Sequence, residues 1–215
     1  WAKYARLLAD AGADAVELNL YSVNTSPDES SSAVEDRYLR IISMVRAQIE
    51  VPLAVKLSQH ITGLSSFARR AEDAGANGLV LFNRFYGAEV DLDALAMTSR
   101  LALSNPEELR FPLRWIGILR AQRPGLSLAA TTGVHSGLDA VKALLVGADV
   151  ACTTSAVLQH GTGRVGRMLA ELGTWLTDHD YDSVRQLQGS MSADNVSDPA
   201  AFERAQYMKV ITSQI

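Results

Sequence analysis

Hydrophobic and polar positions along the chain switch repeatedly between a helical and a strand period. Apolar residues in WAKYARLLADAG (1–12) recur at helical spacing, and Gly12 stops the run. DAVELNL (14–20) alternates as a half-buried strand does, and SVNTSPDESSS (22–32) is loop by composition. AVEDRYLRIISMVRAQI (33–49) then predicts a helix whose apolar face is Val34, Tyr38, Ile41, Ile42, Val45 and Ile49, with Ser32 and Glu35 at capping-box spacing. VPLAVKL (51–57) reads as a buried strand, FARRAEDAG (67–75) as a helix and GLVLFN (78–83) as a strand, before a long variable stretch. Residues 113–122 read as helix, SLAATT (127–132) as strand, GLDAVKALLVGA (137–148) as helix and DVACTTS (149–155) as strand. Another helix follows over 163–177, and the polar segment GSMSADNVSDP (189–199) separates it from a last helix, AFERAQYMKVITSQ (201–214).

Three helix ends share one device: AGAD (11–14), AGAN (74–77) and VGAD (146–149). In each, glycine is suited to the left-handed position that ends a helix before the chain turns into a strand. Strands alternating with helices predict a parallel sheet with helical crossovers. A closed (β/α)8 barrel takes about 250 residues and about eight units. The strand segments 14–20, 51–57, 78–83, 127–132 and 149–155 fall short of that, and their number alone suits a doubly wound open sheet.

At 215 residues the chain holds one good-sized α/β core, and 47% hydrophobic with 20% charged residues is the composition of a water-soluble globular protein. A net charge of −4 gives no reason to expect nucleic acid or an anionic membrane as partner. Cys152 is the single cysteine, which excludes an internal disulfide, and His60, His135, His160 and His179 lack zinc-ligand spacing. No apolar run is long enough to span a bilayer, so a reducing, cytoplasmic setting is expected.

In either α/β fold, chemistry gathers at the C-terminal ends of parallel strands. The polar residues of this chain collect there: Asn19, Ser22 and Asn24; Lys56 and Ser58; Asn83 and Arg84; Thr131, Thr132 and Gly133; Thr153, Thr154 and Ser155. Lys56, inside AVKLS, is the sharpest signal, because an ammonium at the inner end of a strand needs an anionic or electron-rich partner. TTGVHSG (131–137) and TTS (153–155) suit the close approach of backbone N–H groups to a phosphate, aided by the helices starting near 137 and 163. His135 reads as a surface-loop residue, Cys152 as core packing, and Asp10, Glu72, Asp73 and residues 35–37 as solvated helix faces. HGTGR (160–164) resembles a phosphate turn one helical turn too late.

In order and spacing, ELNLYSVN, PLAVKLS, GLVLFNRF, AATTGVHSG and DVACTTSAVL resemble the FMN-binding barrel of the dihydroorotate dehydrogenases. The likeness runs over residues 12–189, and AVKLS, LVLFNRF, PLRW and AFERAQYMK (201–209) are similar to the dihydroorotate dehydrogenase-like group in particular. The resemblance implies a TIM-barrel-type fold with about five of its βα units in this chain, as one domain over 1–215 whose N-terminal units are missing. It implies FMN at the C-terminal mouth of the barrel and oxidation of dihydroorotate to orotate, a step of pyrimidine biosynthesis. By position, Asn19, Asn24 and Asn83 resemble the asparagines that hold the pyrimidine, and Ser22 falls where the family places its base. Lys56 resembles the lysine at the flavin ring; Thr131, Gly133, Val134, Thr154 and Ser155 fall at the phosphate cradle.

The chain departs from the family's pattern at several positions. Val23 replaces the proline after the base, and no activator stands beside Ser22 in sequence. Thr132-Gly133 replaces a Gly-Gly phosphate turn, Arg84 replaces a small hydroxyl residue, and RFPLRW (110–115) replaces a glycine-rich phosphate contact. Two alternatives therefore stay open: an FMN barrel acting on another cyclic amide or enoate, and a flavin-free relative without catalysis. Missing units would leave a sheet edge and apolar helix faces uncovered and favour homo-oligomers.

Overall fold

A computed structural model of the protein describes residues 1–84, 87–98, 101–203 and 212. Its elements begin α1 (Ala2–Asp10), β1 (Val16–Asn19), α2 (Ser31–Arg46), β2 (Leu53–Leu57), α3 (Leu64–Asp73) and β3 (Gly78–Leu81). A short hairpin follows, β4 (Glu89–Asp91) and β5 (Ala96–Thr98), then α4 (Arg110–Gln122), β6 (Ser127–Ala130), α5 (Gly137–Val146) and β7 (Val150–Ala151). The last elements are α6 (Ser155–His160), α7 (Gly163–Asp178), α8 (Val184–Leu187) and α9 (Ala200–Glu203). The predicted final helix thus begins as α9, and its residues 204–211, 213 and 214 lie outside the described residues, as does Phe85 of the LVLFNRF motif.

The main sheet has five strands in the order β1-β2-β3-β6-β7, every pair parallel. A doubly wound sheet reverses its strand order at a switch point. Here each strand lies beside the preceding strand of the sheet, which is barrel-type winding, so the structure is a partial TIM-barrel-like fold. One face is apolar: Val16, Leu18, Leu53, Val55, Leu57, Leu128 and Ala130 share a core with Ile42 and Val45 of α2, Phe67 and Ala71 of α3, and Ile116 and Leu119 of α4. On the other face Glu17 and Asn19 are exposed and Ala54 and Lys56 are half-buried.

The three glycines expected to end helices are all left-handed, with φ of 94° at Gly12, 107° at Gly75 and 115° at Gly147. At the latter two they do more. Arg46 at the end of α2 lies across Gly75 and donates to Val51 O at 3.0 Å and Asn77 Oδ1 at 3.3 Å; Asn77 Oδ1 also accepts from Leu53 N at 2.9 Å. Arg120 in the last turn of α4 repeats this over Gly147. It donates to Gly147 O at 2.8 Å and to Asp149 Oδ2, which accepts from Leu128 N at 2.8 Å. A Cβ on Gly75 would come within 2.4 Å of Arg46 Cγ, and one on Gly147 within 2.5 Å of Arg120 Cγ.

Several expectations are corrected. The cap of α2 is Ser30, accepting from Ala33 N at 3.2 Å, and Glu35 pairs across to Arg70 at 2.9 Å instead of closing a capping box with Ser32. Helix α4 starts a turn earlier than predicted, because an Asn105-capped 3-10 turn (Pro106–Leu109) runs straight into it. The strand expected over 149–155 ends at Ala151, and Thr154 and Ser155 open α6, a helix the sequence pattern did not reveal. The carboxylates read as solvated faces bridge elements: Asp36 pairs with Arg70, and Glu72 with Arg123. The polar segment 189–199 closes α5, with Gly189 N donating to Leu144 O at 3.0 Å and Met191 N to Leu145 O at 2.8 Å.

Candidate active site

The C-terminal ends of β2, β3, β6 and β7 bound a cavity of about 250 Å³. Its lining includes Lys56, Thr131, Gly133, Val134, Thr154 and Ser155, together with Phe82, Arg84, Thr132, Cys152 and the segment Leu101–Ser104. All the residues expected at a flavin thus border one space. Parallel register sets Lys56 opposite Asn19 on one side and Val80 on the other. The Lys56 ammonium lies 3.5 Å from Glu17 Oε1, a partner supplied by the neighbouring strand that the sequence reading did not single out.

The loop after β6 turns sharply, with Thr132 at φ 77° and Gly133 at φ 83°. Thr132 Oγ1 donates to Phe82 O at 3.2 Å, and a Cβ on Gly133 would lie 2.3 Å from Leu109 N. Thr153 Oγ1 ties the loops after β6 and β7 together by donating to Val134 O at 2.8 Å. Ser155 Oγ accepts from Ser104 N at 3.0 Å, and Ser104 Oγ is 3.0 Å from His135 Nε2. His135 is therefore half-buried and bonded, not a free surface residue. Arg164, from HGTGR, also reaches this loop by donating to His135 O at 2.6 Å.

Cys152 is half-exposed beside the cavity rather than in the core. Burial raises its thiol above the usual range, Glu17 adds to the rise and Lys56 opposes it, so the group stays a neutral thiol. The start of α5 is not an open anion site: Gly137 N donates to Glu171 Oε2 at 2.6 Å, and His135 N and Ser136 N donate to Asp139 Oδ2 at 3.2 and 3.0 Å. Burial pushes the Asp139 carboxyl up, but hydrogen bonds from Ser136, Lys142 and the His135 backbone and the Lys142 charge outweigh it and hold it below its ordinary value.

A second cavity of about 750 Å³ shares Phe82, Arg84 and Thr132 with the first and adds Gln59, His60, Asn83 and the start of α4. RFPLRW supplies Arg110, Phe111, Pro112 and Arg114 to its wall, so this segment is a helix lining a cavity and not a loop. Arg84 bridges the two spaces, donating to Ala102 O and to Glu108 Oε1 at 3.1 Å.

The polar cluster after β1 divides in two. Asn83 Nδ2 donates to Asn19 Oδ1 and to Leu20 O, both at 3.0 Å, which joins the ends of β1 and β3. Ser22 and Asn24 instead border a third cavity, about 260 Å³, with Tyr38, Ser58 and His60. Ser22 Oγ donates to Asn24 Oδ1 at 3.2 Å and lies 2.6 Å from Tyr38 Oη; Arg37 donates to Asn24 Oδ1 and pairs with Glu29. Tyr38 had been legible only as one residue of an apolar helix face.

No family model matches the chain. It is 30% identical over 145 residues to dihydroorotate dehydrogenase A (fumarate) of Limosilactobacillus reuteri, covering 65% of this chain and 46% of that protein. It is 28% identical over 193 residues to the catalytic subunit of dihydroorotate dehydrogenase B (NAD(+)) of Geobacter sp., covering 87% and 62%. Over 206 residues it is 25% identical to the NAD-dependent dihydropyrimidine dehydrogenase subunit PreA of Escherichia coli, covering 88% and 49%. The chain thus spans between 46% and 62% of the length of these relatives.

Proposed function

We propose that this chain, similar over most of its length to dihydroorotate dehydrogenases and a dihydropyrimidine dehydrogenase subunit, is the FMN-dependent part of a dihydroorotate dehydrogenase-like oxidoreductase that converts dihydroorotate to orotate. The observation that carries this reading is the gathering of Lys56, Thr131, Gly133, Val134, Thr154 and Ser155 around one cavity. The donor set fits FMN: an ammonium suits an electron-rich ring, while hydroxyls and the left-handed Thr132-Gly133 turn suit a phosphate. When bound, FMN supplies the two-electron acceptor.

The chain's own residues do the rest. Gly133, Val134, Thr154 and Ser155 hold the phosphate end, with Thr131 beside them. Lys56 steadies negative charge at the ring, and Glu17 keeps its ammonium in place. Asn19 and Asn83, whose amides bond one another, exchange that bond for the complementary amide groups of a cyclic substrate, and Asn24 adds a third carboxamide. Ser22 Oγ accepts the proton removed from substrate carbon.

The test is anaerobic addition of dihydroorotate to the full-length protein loaded with FMN. Bleaching of the flavin absorbance is expected, and Ser22→Ala is expected to slow it by roughly 10²–10⁴-fold with flavin retained. Flavin loss or an unchanged rate in that variant removes the base assignment. Arg84 favours a second reading, in which the substrate is another cyclic amide or an enoate, because its guanidinium stands at both cavities. Screening such compounds for flavin bleaching separates the two.

Among the described residues no helix is long and apolar enough to cross a membrane. A small-molecule substrate, a reducing cytoplasmic setting suited to the lone thiol of Cys152, and assembly into homo-oligomers complete the proposal.

A further inference from the structure

We infer that Tyr38 acts through Ser22 as the second hydroxyl of a proton relay, taking the Ser22 Oγ proton as Ser22 takes one from substrate. This rests on the proposed role of Ser22 and adds the group that the sequence lacks beside it. A serine hydroxyl is a competent base only if its own proton has somewhere to go. Ser22 Oγ has two partners: Tyr38 Oη at 2.6 Å and Asn24 Oδ1 at 3.2 Å. Asn24 Oδ1 is already loaded by the Arg37 guanidinium, and an amide oxygen accepts a hydrogen bond without passing a proton on. The phenol is nearer, and it can accept one proton while releasing another.

Tyr38 is held for this. It sits on α2 with 6% of its surface exposed, and Phe67 meets its ring edge-on, with centroids 6.5 Å apart and planes at 82°. A phenol so buried needs a partner for its hydroxyl. Among the described residues that hydrogen-bond partner is Ser22. The pair borders the cavity of about 260 Å³, whose exposed rim at Asn24 and Thr62 leads to solvent. The charged and titratable groups facing it are His60, Glu29 with Arg37, and Glu35 with Arg70.

The balance closes. The Ser22 hydroxyl turns from Asn24 Oδ1 to Tyr38 Oη; the proton on one substrate carbon then passes to Ser22 Oγ, the Oγ–H proton to Tyr38 Oη, and the phenol proton to solvent in that cavity. FMN, when bound, would supply the acceptor for the electron pair of the adjacent C–H bond, which balances the two-electron oxidation of the substrate. Both hydroxyls end neutral.

Two measurements on the full-length, FMN-loaded protein decide the matter. Tyr38→Phe keeps the ring and its contact with Phe67. It is expected to slow bleaching by dihydroorotate about a hundredfold. Flavin content and melting temperature should hold, while a solvent isotope effect that draws on two protons in the parent should draw on one in the variant. An unchanged rate and isotope effect would overturn the relay. The second measurement needs no substrate: Ser22→Cys places a thiol where the hydroxyl was, and its alkylation by iodoacetamide is followed on the peptide carrying residue 22, apart from Cys152. A phenol donating to the thiolate makes that alkylation near neutral pH about tenfold faster with tyrosine at position 38 than in the Ser22→Cys/Tyr38→Phe double variant. Equal rates would sink the proposal. If the parent protein is not bleached by dihydroorotate, the substrate reading falls, and the alkylation ratio still decides the role of Tyr38.

Discussion

Asp139 shows how one side chain can fix a loop beside the candidate site. It is 4% exposed, and its carboxylate accepts from His135 N, Ser136 N and Ser136 Oγ and pairs with Lys142 at 3.1 Å. Because its folded value is depressed, the stability it contributes is complete above the ordinary value of 3.8 and is lost as pH falls through the lower folded value. Asp139→Asn is therefore expected to lower unfolding free energy by roughly 1–3 kcal/mol near neutral pH. In urea titrations the gap to the parent should narrow steadily as the pH is taken below 3.8. A gap of constant size would mean that packing, not charge, is what asparagine loses. Nothing in the sequence marked this residue out, since a lone aspartate in GLDAVKALL is an ordinary helix-start residue; its weight comes from backbone donors that the turn after β6 aims at it.

At the scale of elements, the arginine clasp explains why two of the helix–strand turns read alike. In AGAN and VGAD the glycine leaves room for an arginine stem, and the Asn or Asp oxygen accepts one hydrogen bond from that arginine and one from the preceding strand. Each clasp joins a helix, its following strand and the next turn, and so fixes strand order at the end of the sheet remote from the site. Arg120 and Asp149 are partly shielded, with side-chain exposures of 18% and 39%. A double-mutant cycle with Arg120→Met and Asp149→Ala should give a coupling of about 0.5–3 kcal/mol in chemical unfolding. Additive losses would show that the two residues act separately. Glycine at the helix end was legible in the sequence because left-handed backbone favours it. The arginine was not, because it lies a full βα unit upstream of the turn it crosses.

Over the whole molecule, the open faces of the partial barrel carry the largest physical consequence. Trp1, at the cap of α1, and Tyr4, Leu7 and Leu8 on that helix are 62, 72, 51 and 54% exposed. Large exposed apolar patches are uncommon on monomers, and these four side chains recur at helical spacing. Sedimentation of the 215-residue chain is expected to show concentration-dependent association, weakened by Tyr4→Lys with Leu8→Glu. A monomer at every concentration would refute it. The sequence by itself determined the βα alternation, the glycine-ended helices and the strand ends at which the polar residues gather, because each is written in short-range periodicity and backbone preference. Only the tertiary structure decided that the strands follow chain order as in a barrel, since strand order is a matter of winding and leaves no local trace. It also decided that residues 56, 131–134 and 154–155 border one space, and that Tyr38 turns its hydroxyl to Ser22. Those are contacts between elements, set by how helices lie on the sheet, and a pattern read along the chain carries no such distance.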